Sequence, residues 1–262
     1  MPILSLDGLT VEYTQSGAGP DLLLVHSLLT ELTVFERVLP ALSAGRRVTC
    51  INLPGFGASS PAVFNGLEDQ ADHVARVMAA LALPVRTAVF GNGFGAFVTL
   101  QLAIRHGAQL CELIVADCVP AFPEAARLPF RGMAAKVGET GMAAVLDTAI
   151  GRMFPAAFQT AHPQVIADRK AKLGAVDAGC FGRACLALAG MDLTPHLASI
   201  RNRTLVLCGA LDATTPPLLA QQVARAIPGA RYQEIAESGH CPMLEQPEAL
   251  VAALNNFLQP AP

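Results

Sequence analysis

The chain has 262 residues, 52% of them hydrophobic and only 15% charged, with a formal net charge of −3. That length and apolar content suit one large α/β domain, or two small ones, with ample core material. So sparse and balanced a charge excludes the electrostatic footprint of a nucleic-acid or anionic-membrane partner, and leaves a small neutral or acidic molecule as the expected ligand.

The N-terminus, MPILSLDGLTVEY, has no basic stretch followed by a long apolar run. No signal peptide or membrane span is therefore expected, and the protein is placed in the cytoplasm. Cys50, Cys111, Cys118, Cys180, Cys185, Cys208 and Cys241 form no C-x-x-C pair. Their odd number argues for reduced thiols rather than a disulfide framework. Oligomeric state is open, a homodimer included.

In chain order, residues 3 to 14 alternate around Asp7-Gly8, which predicts an antiparallel hairpin at a sheet edge. Leu22 to Val25 is a continuous apolar run, the pattern of a strand covered on both faces, and it leads into His26-Ser27-Leu28-Leu29-Thr30. Helical periodicity follows over Leu32 to Leu42, then a buried strand over Arg47 to Asn52 ending in LPGFGASS, then an amphipathic helix over Glu68 to Leu83.

Thr87 to Phe90 is the next apolar strand, and it stops at Gly91-Asn92-Gly93-Phe94-Gly95 before a helix-length apolar segment. This is strand, tight turn and helix, with the spacing of a nucleophile elbow, G-x-S-x-G. The middle residue is Gly93, so the frame for a nucleophile is present without the nucleophile. The same window also fits a dinucleotide-binding fingerprint, with Asp117 closing the next strand at Leu113 to Ala116.

From Pro120 to about Pro195 the strand–helix alternation gives way to short helical patterns broken by Pro129, Pro155 and Pro163. The division expected is a core of residues 1–119 and 196–262, with a helical cap of residues 120–195 over the C-terminal edge of the sheet. Strands resume at Thr204 to Cys208, followed by Gly209-Ala210-Leu211-Asp212 and a helix near Pro217. A last strand, Tyr232 to Ile235, leads to Glu237-Ser238-Gly239-His240-Cys241 and a closing helix from about Gln246 to Leu258. Alternation of this kind implies a mostly parallel sheet with helices on both faces.

Ligands of open parallel sheets bind at the C-terminal ends of the strands. Here those ends carry HSLLT, GNGFG, GALD and SGH. The order elbow, acid, histidine is that of the α/β-hydrolases, whereas a dinucleotide-binding domain would usually place its glycine loop after the first strand. The whole chain resembles the α/β-hydrolase superfamily. FGRACLALAGMDLTPHLASI, TLVLCGALDATTPP and ESGHCPMLEQPE, with HSLLTELTVFERVLPAL and LPGFGASS near the start, resemble the 3-oxoadipate enol-lactonase group.

The resemblance implies an α/β-hydrolase fold with a helical cap, a small carbonyl substrate of ester or enol-lactone type, and no metal or organic cofactor. It implies that Asp212 orients His240, that His240 is the general base, and that the backbone N–H of Phe94 and of Leu28 or Ser27 form an oxyanion hole. His26 stands beside that hole, and Asp117 matches a position used for the acid in some families of the fold; both are candidates for contacting substrate. Of the arginines Arg127, Arg131, Arg152 and Arg183, Arg131 and Arg152 are the candidates for a substrate carboxylate.

Gly93 is the departure, because acyl-enzyme chemistry needs a hydroxyl or thiol within reach of His240. Three readings stay open. The first is a hydrolase whose serine has been replaced; the second is an enzyme that uses His240 on water or on substrate, as a lyase, isomerase or cofactor-free oxygenase would; the third is a pocket that binds a ligand without turnover.

Overall fold

The computed structural model describes residues 1–259. Eight strands form one sheet: β1 (Ile3–Leu6), β2 (Leu9–Ser16), β3 (Asp21–Val25), β4 (Arg47–Ile51), β5 (Thr87–Asn92), β6 (Leu110–Ala116), β7 (Arg203–Gly209) and β8 (Arg231–Ile235). Their spatial order is β1-β2-β4-β3-β5-β6-β7-β8, antiparallel at β1/β2 and β2/β4 and parallel from β4 onward. The hairpin expected around Asp7-Gly8 is the β1–β2 pair at the edge.

Strands β3 to β7 are the apolar runs of the sequence, and their side chains are buried on both faces. Leu22 to Val25, Val89, Phe90 and Leu113 to Ala116 are each at most 1% exposed. Runs of Leu, Ile and Val suit this position because helices cover both sides of a parallel sheet. The helices flanking the sheet in the first half are α1 (Leu39–Ser43), α2 (Leu67–Ala80) and α3 (Phe94–His106).

The helix expected over Leu32 to Leu42 is instead a 3₁₀ turn, Leu32–Phe35, followed by the short α1. Pro40 lies inside that window, where it lacks the N–H that a continuous helix would use and crowds the preceding turn, so the helix restarts around it. β6 also begins three residues before the apolar run that marks it, because Cys111 and Glu112 are only partly buried.

Between the neighbouring strands β6 and β7 the chain builds five helices: α4 (Glu124–Thr140), α5 (Leu146–Met153), α6 (Ala156–Ala161), α7 (Pro163–Gly174) and α8 (Ala178–Gly190). The two ends of this excursion are tied together by an antiparallel bridge, Ala121 to Asp192, and by the Leu193 N–H donating to the Pro120 carbonyl at 2.9 Å. α9 (Pro217–Ala226), α10 (Pro242–Glu245) and α11 (Pro247–Leu258) complete the chain. Among the described residues no single helix is long and apolar enough to cross a membrane.

Candidate active site

β5 delivers the glycine turn to the C-terminal edge of the sheet, between β3 and β6. Gly93 has φ +53° and ψ −117°, a conformation that side chains beyond glycine adopt only under strain. Gly95 is required for a different reason: a Cβ there would collide with the backbone carbonyls of Val25 and His26, so only glycine lets α3 start this close to the end of β3.

The loops after β7 and β8 bring Asp212 and His240 to the same edge. Both are buried, and His240 Nδ1 lies 2.8 Å from Asp212 Oδ2. Asp212 also accepts from the N–H groups of Thr214 (2.7 Å) and Thr215 (3.1 Å) and from the Thr215 hydroxyl (2.5 Å). Burial alone would push the carboxyl up, yet the imidazole and these donors hold Asp212 well below the usual carboxylate range. For His240, burial works against the charged ring. The Asp212 carboxylate overcomes it and raises the imidazole to about 9.

The backbone around His240 is fixed on both sides. Glu245 accepts from the N–H of Gly239 (2.7 Å) and of Cys241 (2.9 Å), and the His240 N–H reaches the Met153 carbonyl at the end of α5 (3.2 Å). With Nδ1 engaged, Nε2 faces the glycine turn. A Cβ built on Gly93 would stand 2.8 Å from it.

Two backbone donors converge on the same place. The N–H groups of Leu28 and Phe94 have no acceptor among the described residues, and both residues line the cavity above Gly93. Ser27 lines it as well; its own N–H is engaged by the Thr30 hydroxyl at 3.1 Å. Phe97, Phe122, Phe130, Met133 and Leu188 supply an apolar wall, the last three from α4 and α8. Only about 20 Å³ is open to the centre of a water-sized sphere, enough for ordered water but too little for an ester unless side chains move. A wider, open groove of about 620 Å³ lies between residues 64–68 and α8, on residues that do not include Gly93 or His240.

The four residues proposed from the sequence to contact substrate divide sharply. Arg152, at the end of α5, lines the cavity, and its guanidinium sits 5.1 Å from the Phe130 ring centroid with no carboxylate partner among the described residues. Arg131 points outward instead, half exposed and 2.5 Å from Glu124, because it lies on the opposite side of α4 from the buried Phe130 and Met133. His26 is fully buried beneath the loop rather than beside the cavity. Its Nε2 accepts from the Leu53 N–H at 3.0 Å, and burial lowers it to about 4, which keeps it neutral.

Asp117 is also fully buried, behind His240, at φ +58°. It accepts from Asn92 Nδ2 (2.7 Å) and from the Gly209 N–H (2.9 Å). Burial, reinforced by the nearby Asp212, lifts its pKa well above the ordinary value. One ligand atom each of Asp117, Asp212 and His240 fall within 4.8 Å of one another, but N–H and O–H donors occupy the carboxylates, an arrangement that suits orienting an imidazole rather than binding an ion. Thr215 and Asn92 escaped the sequence reading. Asn92 follows only from its place in the elbow, from which it reaches both Asp117 and the His240 carbonyl (3.2 Å).

Known proteins share this fold. The model of the alpha/beta hydrolase family matches residues 22–253. The pimeloyl-[acyl-carrier protein] methyl ester esterase of Aromatoleum aromaticum is 31% identical over 252 residues, covering 92% of this chain and 98% of that protein. 3-oxoadipate enol-lactonase 2 of Acinetobacter baylyi is 27% identical over 259 residues, covering 98% and 96%. The crystal structure of the enol-lactonase from Burkholderia xenovorans LB400 superposes with a TM-score of 0.91 at 25% identity, covering 98% of this chain and 99% of that one. By the extent of the family match, by the eight-stranded sheet, and by the order of its glycine turn, acid and histidine, the chain belongs to the alpha/beta hydrolase family.

Proposed function

We propose that the chain hydrolyses a small ester or enol-lactone that carries a carboxylate, with the Asp212–His240 pair activating water directly and no acyl-enzyme at residue 93. The observation that carries this is the position of His240 Nε2, 2.8 Å from where an elbow side chain would begin, with its other nitrogen held by a buried carboxylate. The substrate carbonyl oxygen would lie against the N–H groups of Leu28 and Phe94, which stabilise the negative charge that develops there.

Water adds to the carbonyl carbon as its proton passes to His240 Nε2. The tetrahedral adduct then collapses, the carbon–oxygen bond to the leaving group breaks, and His240 returns the proton to the departing oxygen. Ester and water become acid and alcohol, and the enzyme returns to its starting state. Residues 120–195 act as a cap whose α4, α5 and α8 shape the pocket. Arg152, mostly desolvated and without a carboxylate partner, pairs with the substrate carboxylate. The named activities of the similar esterase and enol-lactonases support an ester or lactone carbonyl as the target.

The test is steady-state hydrolysis of aryl esters and enol-lactones, with and without a carboxylate, by the wild type and His240→Ala. Turnover lost on removing the imidazole, with no acyl adduct on the intact wild-type protein by mass spectrometry, is the expected result. Absence of turnover across that panel, with ligand binding unchanged in His240→Ala, would replace this reading with that of a non-catalytic binding protein.

A further inference from the structure

We propose that the Ser27 hydroxyl is the second anchor of the attacking water, holding it together with His240 Nε2 at the place an elbow side chain would fill. This rests on the direct-water reading above and adds a positioning residue to it. A Cβ on Gly93 would approach the Ser27 Oγ well inside contact distance while standing 2.8 Å from His240 Nε2, so two polar atoms from different strand ends face one point above the Gly93 Cα.

The Ser27 backbone is already committed. Its N–H goes to the Thr30 hydroxyl, and its carbonyl accepts from the Thr30 N–H (3.2 Å) and stands 2.8 Å from His26 Nδ1. The hydroxyl is free of hydrogen bonds among the described residues although Ser27 is only 2% exposed and lines the cavity. A hydroxyl that opens only into such a cavity is ordinarily satisfied by ordered water, and the cavity has room for about one water centre.

The chemistry favours two anchors over one. A water whose two O–H groups point at Ser27 Oγ and His240 Nε2 has its lone pairs turned away from both, toward a carbonyl lying across the Leu28 and Phe94 N–H groups. Its proton leaves to His240 as its oxygen bonds to carbon, and Ser27 keeps its own proton throughout. With a single anchor the water would pivot about Nε2, and misplacement by an ångström in such a step costs about 100-fold in rate.

The experiment compares Ser27→Ala and Ser27→Thr in the wild type and in Gly93→Ser, assayed on the ester that the wild type turns over. Expected in the wild-type background is a fall in kcat of about 100-fold for Ser27→Ala with KM little changed, and partial rescue by Ser27→Thr, which keeps a hydroxyl. In Gly93→Ser the new hydroxyl takes the place of the water, so Ser27→Ala should cost nothing there and relieve a crowded contact. An equal loss in both backgrounds would show that Ser27 only supports the loop and would overturn the proposal. So would a burst of leaving group with an acyl adduct mapped to Ser27, which would make it the nucleophile itself. A crystal structure gives a readout independent of turnover: density bridging Ser27 Oγ and His240 Nε2 that disappears in Ser27→Ala supports the proposal, and a side chain filling that place refutes it. Survival of full activity in His240→Ala would instead remove the direct-water reading, and is told apart by that variant alone.

Discussion

Gly93→Ala isolates what this position costs the fold. At φ +53° and ψ −117° the backbone is where a Cβ raises the energy by about 1–3 kcal/mol. The added methyl also meets two side chains at once. Ser27 can turn its hydroxyl aside. His240 cannot move as readily, because Asp212 holds its ring and the Met153 carbonyl holds its N–H, and a methyl 2.8 Å from Nε2 is overpacked. Strain and crowding together should destabilise the variant by about 2–4 kcal/mol. For a chain of this size that corresponds to a drop in Tm of about 5–15 °C. Reversible urea unfolding, with the slope checked for change, measures it. Gly132→Ala is the control of opposite sign: Gly132 lies on the exposed face of α4 with nothing within 4 Å of an added Cβ, so alanine should gain about 0.5–1 kcal/mol there. Gly93→Ala as stable as the wild type would refute both the strain and the position assigned to His240.

Other outcomes follow from the same geometry. Burial works against the charged His240 ring, but Asp212 raises it to about 9, with Asp117 adding to the rise and Arg152 opposing it. A base must be neutral, so kcat/KM should climb with pH through about 9, and the stability contributed by the charged ring, complete below the unfolded value of about 6.5, should fade over the same rise. A pH–rate profile flat from 7 to 10 would contradict this. Arg152→Gln should raise KM for a carboxylate-bearing ester by roughly 10-fold or more while leaving a neutral ester nearly unchanged; equal effects on both would mean that the guanidinium serves packing alone. Arg169, on α7, is buried against Glu31 and donates to Thr33 (2.9 Å), with Lys172 beside it. Arg169→Met removes one of the two cations on the buried Glu31 carboxylate, which keeps Lys172 and the Thr33 N–H, and should cost about 1–3 kcal/mol in urea unfolding, whereas no measurable loss would show that water reaches this pair.

How much of this was legible in the sequence depended on the kind of constraint. Leu22 to Val25 and Leu113 to Ala116 could be read as central strands because burial on both faces leaves an unbroken apolar run. Gly93, Asp212 and His240 could be read because each sits in the short loop where a strand ends, and strand ends converge in space whatever the intervening lengths. Arg131 and Arg152 looked alike because both lie on helices between β6 and β7. Which one faces the cavity is set by how α4 and α5 are rotated against the sheet, and Glu124 draws Arg131 outward. His26 and Ser27 are neighbours in one loop, yet the ring turns under Leu53 and the hydroxyl turns into the cavity. That choice is made by the Leu53 N–H and the Thr30 hydroxyl, long-range and local partners that no periodicity reveals.

The absent side chain at residue 93 shifts the burden of the site onto its surroundings, and the surroundings are energetically expensive. Asp117, Asp212 and His240 are each at most 5% exposed, and removing such groups from water costs several kcal/mol apiece before hydrogen bonds recover it. A pocket required only to keep its shape would be as stable, or about 1–4 kcal/mol more so, with apolar residues of similar volume in their place. The chain nevertheless keeps an imidazole, two backbone donors and an arginine around one small space, with two carboxylates buried behind the imidazole. Charge that is costly to bury and is arranged around a point where a carbonyl can sit fits proton transfer better than passive binding. The glycine turn fits the same reading, since it leaves water room to stand where a tethered hydroxyl would have stood.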